Sequence, residues 1–381
     1  MKSSISTEIR ALGVLVALGV LAWLLAAAVP APTDGDPALG PIPGLHAREL
    51  QIIPRLQHLG DFGWAMEKVS EFGPGKVAMA LIALLFLAVD ARLAMRAMVV
   101  LMLGLWLREV LALALQSPRP YWIDTAIRTF RDPPIGGPTH GLPSGHAVGA
   151  TVLWFFLATE LRRRWAWVAA GLIVLAVGVS RVYLGLHFIS DVVAGILVGG
   201  ACLLFYRASE SAGAGHWATW GVWGRIGAIL AVGVVMVTVP AAVRSIVASG
   251  PAAPAAWGTY GETARRIGGS VSAAAAVCGV LLSLVLPGPR FQAGGPWKWR
   301  LLRLAIAAVP VGLYYWRPTG LRLGGWLPED PEWVRLSIQF GKVLVASACA
   351  WWLAPRLFVR LGIATFEHLP GRTAVPASLT P

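Results

Sequence analysis

Apolar residues fall in long blocks along this chain, and short polar or basic breaks divide them. Blocks of that length suit helices that cross a bilayer, which need about 20 apolar residues each. Ten blocks stand out, at roughly 11–30, 76–91, 97–116, 144–160, 166–183, 188–206, 224–248, 267–286, 301–316 and 336–354. The pattern therefore predicts an all-α, polytopic transmembrane bundle of about ten helices. The first block follows Lys2 and Arg10, and its length favours an uncleaved anchor over a signal peptide. Residues 31–75 break the pattern. They start rich in Pro and Gly and then carry apolar residues at mixed spacing from His46 to Phe72. One or two amphipathic helices lying at the membrane interface are expected there, with Trp64 as an anchor. Pro118 and Pro120 close the third block, because neither can donate to a helix ladder. A long loop runs from there to Leu142, and loops of such length in compact proteins usually carry function.

Composition turns this pattern into a class. Of 381 residues, 56% are hydrophobic and 13% charged, which is about half the charged share of a soluble domain. Mean hydropathy is +0.66. A soluble fold would lack a core large enough to bury these blocks. The net charge of +13 collects in alternate breaks: Arg92 and Arg96, Arg162 to Arg164, Arg207 and Arg225, Arg290 to Arg303, and Arg356 with Arg360. Ten helices with both ends inside satisfy the positive-inside rule at each of these breaks. On that topology the 31–75 segment, the 118–143 loop and the 181–187 junction share the outer face. The expectation is a plasma (inner) membrane protein whose polar centre faces the periplasm or exterior. No loop supplies the basic soluble face that nucleic-acid binding requires. Cys202, Cys278 and Cys349 lie inside apolar blocks, at spacings that fit neither a metal site nor a disulfide framework.

The chemistry concentrates between residues 143 and 191. Pro143-Ser144-Gly145-His146 opens the fourth block, and Ser180-Arg181 stands six residues before His187, which stands four before Asp191. Polar groups in such surroundings are costly unless paired or used. A helix opening at Ser144 would present unpaired N–H groups and a positive dipole end, a seat for an anion such as phosphate. Gly145 lets a ligand approach the backbone closely. His187 and Asp191 share a helix face, so the carboxylate can fix the imidazole tautomer and leave the other nitrogen free to attack. Arg181 and Arg119 offer planar forks that match phosphate oxygens. Taken singly, each has a plainer reading: Ser144 as a helix cap, His187–Asp191 as a structural pair, Arg119 as a snorkelling side chain. Together, two guanidiniums, a helix N-terminus, two imidazoles and one carboxylate suit phosphoryl transfer without a metal.

These residues carry a family resemblance. Arg119-Pro120, Pro143-Ser144-Gly145-His146 and Ser180-Arg181 with His187 and Asp191 resemble the three signature motifs of the type 2 phosphatidic acid phosphatase family. The resemblance spans roughly residues 46–206. It implies a six-helix core with its site at the outer membrane face, His187 as a nucleophile forming a phosphohistidine, and Asp191 as its partner. His146 would protonate the leaving group, and Arg119, Ser144, Gly145 and Arg181 would bind phosphate. No metal and no cofactor are implied. The expected substrate is a membrane lipid phosphate, either undecaprenyl diphosphate or a phosphatidic-acid-like lipid. A phosphotransferase using the same site, or a lipid transporter or binding protein on a decayed core, are the alternatives.

One position departs from the pattern. The family carries a Lys seven positions before the first motif's Arg, and Ala112 stands there. Arg108 lies one turn earlier, but helical side chains lean towards the N-terminus, which argues against its reaching the site. Arg128, Arg131 and His140 are the other candidates. Residues 1–206 are expected to form the phosphatase-like core. Residues 207–381 add four helices whose role is open between a homodimer interface, a lateral lipid gate and a partner platform.

Overall fold

A computed structural model describes residues 36–130, 139–249, 252–286, 291–316 and 331–366. The expected helix at 11–30 lies outside the described residues. The remaining apolar blocks are helical within a few residues of their expected bounds. They form α3 (Lys76–Leu84), α4 (Ala91–Leu115), α5 (Gly145–Leu161), α6 (Arg164–Tyr183) and α7 (Ile189–Thr219), then α8 (Val222–Ala248), α9 (Gly268–Val285), α10 (Trp297–Trp316) and α11 (Glu332–Ala348). Before them come α1 (Pro43–Gln57) and α2 (Gly63–Ser70). The only strands among the described residues are the antiparallel pair Phe291–Gln292 and Thr365–Phe366.

Against an expectation of about ten spans, the described residues hold six helical stretches long and apolar enough to cross a membrane, and two shorter apolar ones, Lys76–Val89 and Gly145–Leu161. The protein is an integral membrane protein of helical class. α7 is the largest departure in length: it continues past residue 206 to Thr219 through a stretch that holds no proline. α4, α5, α6 and α7 pack on one another, and α9 packs against α4 on one side and α8 and α11 on the others.

Both ends of α4 are pinned by charge. At its N-terminal end Arg96 donates to Glu160 Oε1 and Oε2 (both 3.0 Å) and to Glu210 Oε1 (2.6 Å). Arg207 adds ion pairs to the same two carboxylates. This ties α4, α5 and α7 together. Twelve residues further along the helix, roughly 18 Å away by the 1.5 Å rise per residue, Arg108 reaches the cluster described below.

Arg303 behaves differently from its place in a charged break. It is fully buried and donates to the carbonyls of Leu87 (2.8 Å), Ile363 (2.9 Å), Gly294 (3.1 Å) and Ala293. It collects carbonyls left open at the end of one helix and in the connections around it, as buried backbone requires.

Candidate functional site

The site is assembled at the points where helices stop. α4 ends at Gln116 in a left-handed conformation (φ 44°). Arg119 then precedes a proline and is extended (φ −102°, ψ 155°), as the ring of the next residue demands. Its side chain is held rigidly. Nε donates to Thr139 O (2.6 Å), Nη2 to Thr139 Oγ1 (2.9 Å) and Nη1 to Leu186 O (3.0 Å).

α6 ends at Tyr183, and the chain reverses through Gly185 at φ +69°. A side chain there would be strained, and its Cβ would stand 2.5 Å from Ile127 Cγ2. This reversal delivers His187. Asp191, in the first turn of α7, accepts from the Phe188 N–H (3.0 Å) and sits 3.2 Å from His187 Nδ1, both through Oδ2. With Nδ1–H donating to Asp191, Nε2 keeps its lone pair, and Arg119 Nη1 donates to it at 3.3 Å. Burial, with the guanidiniums of Arg119, Arg181 and Arg108 next, holds the His187 imidazole well below its usual pKa. It is therefore neutral at physiological pH.

α5 begins against this pair. The Ser144 N–H donates to Asp191 O (2.9 Å), which fixes the start of α5 on the first turn of α7. Gly145 is the first residue of α5 and His146 the second. Ser144 Oγ is buried with no hydrogen-bond partner. Arg181, from the last turn of α6, donates through Nη1 to Ser70 Oγ (2.8 Å) at the end of α2.

A cavity of about 450 Å³ joins these groups, lined at its polar end by Arg108, Arg119, Arg181, Gly145, His146 and His187. Of the seven expected site residues, five therefore line one space. Asp191 stands behind His187, and Ser144 stands behind Gly145. Among the described residues no group of three or more His, Cys, Asp or Glu side chains is placed to hold a metal ion.

Arg108 is the correction to the sequence reading. Its side chain reaches the site: Nε donates to Pro143 O (3.0 Å), and Nη2 donates to His140 O (2.7 Å) and Thr139 Oγ1 (3.2 Å). A Cβ on Gly145 would lie 3.3 Å from Arg108 Nε, so the guanidinium lies over the N-terminus of α5. Segment 139–144 descends beside α4 to meet it. The lean of helical side chains, sound for a helix alone, is overruled by these tertiary partners.

Of the other candidates for the missing cation, Arg128 and His140 do not line the cavity. Arg128 stacks on Phe130 (4.5 Å), and Arg131 lies outside the described residues. His140 packs edge-on against Trp122 and Trp257, and burial pushes its pKa down to about 4, so it carries no charge at neutral pH.

A brace that sequence reasoning missed comes from α1. The expected interfacial helix buries polar residues, not only apolar ones. Glu49 accepts from the Ser190 N–H (3.0 Å) and Ser190 Oγ (2.9 Å). His46 stacks on Phe188 at 4.0 Å. Gln57 Nε2 donates to Tyr183 O and Arg128 O, both at 2.8 Å. These contacts flank the His187–Asp191 pair on both sides. A stripe of His46, Glu49, Ile53 and Gln57 on one helix face was the available signal.

Fold and site thus define a helical membrane protein with a buried, strongly cationic centre. Residues 93–214 match the model of the PAP2 superfamily, which bears out the resemblance read from the three motifs: this segment carries that family. Similar proteins include glucose-6-phosphatase catalytic subunit 1 of Haplochromis nubilus, 33% identical over 133 residues, 28% of this chain and 37% of that one. Phosphatidylglycerophosphatase B of Bacillus subtilis is 35% identical over 94 residues, 22% of this chain and 45% of that one. Lipid A 4'-phosphatase of Bacteroides thetaiotaomicron is 40% identical over 60 residues, 16% and 27% of the two chains. The chain spans less than half the length of each of these relatives.

Proposed function

We propose that this protein is a membrane lipid phosphate phosphatase that hydrolyses a phosphomonoester or diphosphate through a phosphohistidine. The observation that carries the reading is the convergence of three guanidiniums, a helix N-terminus and the His187–Asp191 pair on one cavity. Three buried cations against Asp191 and Glu109 leave an excess of positive charge, which an anionic ligand would relieve. Phosphate oxygens would sit against Arg108, Arg119, Arg181 and the Gly145 N–H, with Ser144 Oγ as a further donor. His187 Nε2 then attacks phosphorus, and the P–O bond to the lipid breaks. The lipid oxygen takes a proton from His146, which enters the step as imidazolium, its proton taken up with the bound phosphate dianion. A water next attacks the phosphohistidine and gives its proton to His146, and inorganic phosphate leaves with His187 restored. Asp191 holds the tautomer and offsets the charge that forms on His187.

Two relatives are named for lipid phosphates, which favours a lipid such as undecaprenyl diphosphate or a phosphatidic-acid-like substrate here. The distribution of basic breaks supports a site at the outer leaflet. The deciding experiment is phosphate release from a lipid diphosphate by purified protein in detergent with EDTA present. Release that disappears in His187→Ala is the expected result. No release from any lipid phosphate would overturn the reading, and label passing to an acceptor lipid would replace hydrolysis with transfer.

A further inference from the structure

The cavity has a second half that the phosphate chemistry does not use. From Arg108 it continues along α4 past Leu105 and Met102 to Met98, roughly 15 Å at 1.5 Å per residue. The facing wall is α9, which presents Gly269, Ala273 and Ala276. α9 lies beyond the 93–214 segment that the family accounts for. It is held in place by polar contacts: Ser270 Oγ donates to Glu109 Oε2 (2.9 Å), and Gln339 Nε2 of α11 donates to Gly268 O (2.9 Å) and Ser272 Oγ (2.8 Å). Gly269 meets Glu109 so closely that a Cβ there would overlap the carboxylate.

The two ends of this one cavity differ in chemistry. At one end stand guanidiniums and imidazoles. At the other stand Met79, Met98, Met102, Leu105, Ala273 and Ala276, with Ser272, whose hydroxyl already accepts from Gln339. Methionine side chains are flexible and fill or vacate irregular apolar space readily. A sugar phosphate would leave the apolar half without a partner and find few donors or acceptors there for its own hydroxyls. A phosphate carried on a long hydrocarbon chain would satisfy both halves.

The geometry points to a hydrocarbon-chain slot between α4 and α9, in which the later helices measure the lipid tail of the substrate. This rests on the phosphatase reading of the polar end. The occupant is the chain of the phosphate ester itself, because the slot is continuous with the phosphate site. The later helices would then complete the substrate pocket, and Ala276 and Met98 would set the chain length accepted.

Purified full-length protein in detergent would be assayed with alkyl phosphates from butyl to hexadecyl, and with glucose 6-phosphate. In the unaltered protein kcat/KM should rise with chain length and be lowest for the sugar phosphate. Ala276→Leu should lower the hexadecyl-to-butyl ratio of kcat/KM by about tenfold, the scale on which apolar pockets read added methylenes. Met98→Ala should move the ratio the other way, so a folding defect in one variant leaves the second informative. Equal loss on all chain lengths in both variants, or glucose 6-phosphate as the better substrate, would overturn the slot. His187→Ala separates the two readings. Activity that survives it sinks the phosphatase assignment, while activity that vanishes without any chain-length dependence sinks the slot alone.

Discussion

Arg108 shows what a single residue owes to its tertiary neighbours. The residue types, their order and their spacing were visible in the sequence, and they placed five of the expected side chains in one cavity. What spacing could not show was the descent of segment 139–144 beside α4, which offers three acceptors to a guanidinium two turns below the helix end. Arg108→Ala should therefore cost about 10²- to 10³-fold in kcat/KM, the scale of removing one preorganised donor from a transition state. Arg108→Lys should recover part of it, because the charge returns without the fork. Orthovanadate or phosphate inhibition constants measure the same loss as weakened anion binding. An unchanged inhibition constant in Arg108→Ala would remove the residue from the phosphate seat. His46 belongs to this scale too. Burial pushes its pKa down to about 4, below the roughly 6.5 of an exposed imidazole. The folded state thus resists a proton that the unfolded state accepts, as it does at His140. Stability should be flat above pH 6.5 and fall as pH drops towards 4. Melting in detergent across that range reads it, and His46→Gln should make the fall shallower.

At the scale of elements, the long apolar helices were legible because apolar blocks and helix breakers set their bounds. α1 was legible as a helix but not as a brace. Its buried face mixes His46, Glu49 and Gln57 with Ile53, and a rule that sends polar residues outward misplaces it. The partners that reverse the rule lie more than a hundred residues away, on Ser190 and Tyr183, where no local pattern reaches. Ser190→Ala tests the brace. It removes the hydroxyl that Glu49 accepts from at 2.9 Å, one residue before Asp191. The expected cost is about 1–3 kcal/mol of stability, as for a buried acceptor losing a donor. A fall in kcat with KM unchanged should accompany it, because the start of α7 carries Asp191, which holds His187. A loss of stability with unaltered kcat would confine Glu49 to a structural role.

For the whole molecule the question is which way the bundle faces. The ionic cluster of Arg96, Glu160, Arg207 and Glu210 closes one end, and the candidate site closes the other. The basic breaks fall at the first of these ends, so the positive-inside rule predicts a site that faces outward. A thiol scan decides the orientation. Cys202 and Cys278 are buried and Cys349 is exposed, so Cys349→Ser gives a quiet background. In it, Ala126→Cys lies on an exposed turn beside the site, and Arg163→Cys lies on the exposed break between α5 and α6. An impermeant maleimide added to intact cells should label the first and spare the second until the membrane is broken. The reverse pattern would turn the bundle over, and a lipid presented from the inner leaflet would then have to reach the same cavity.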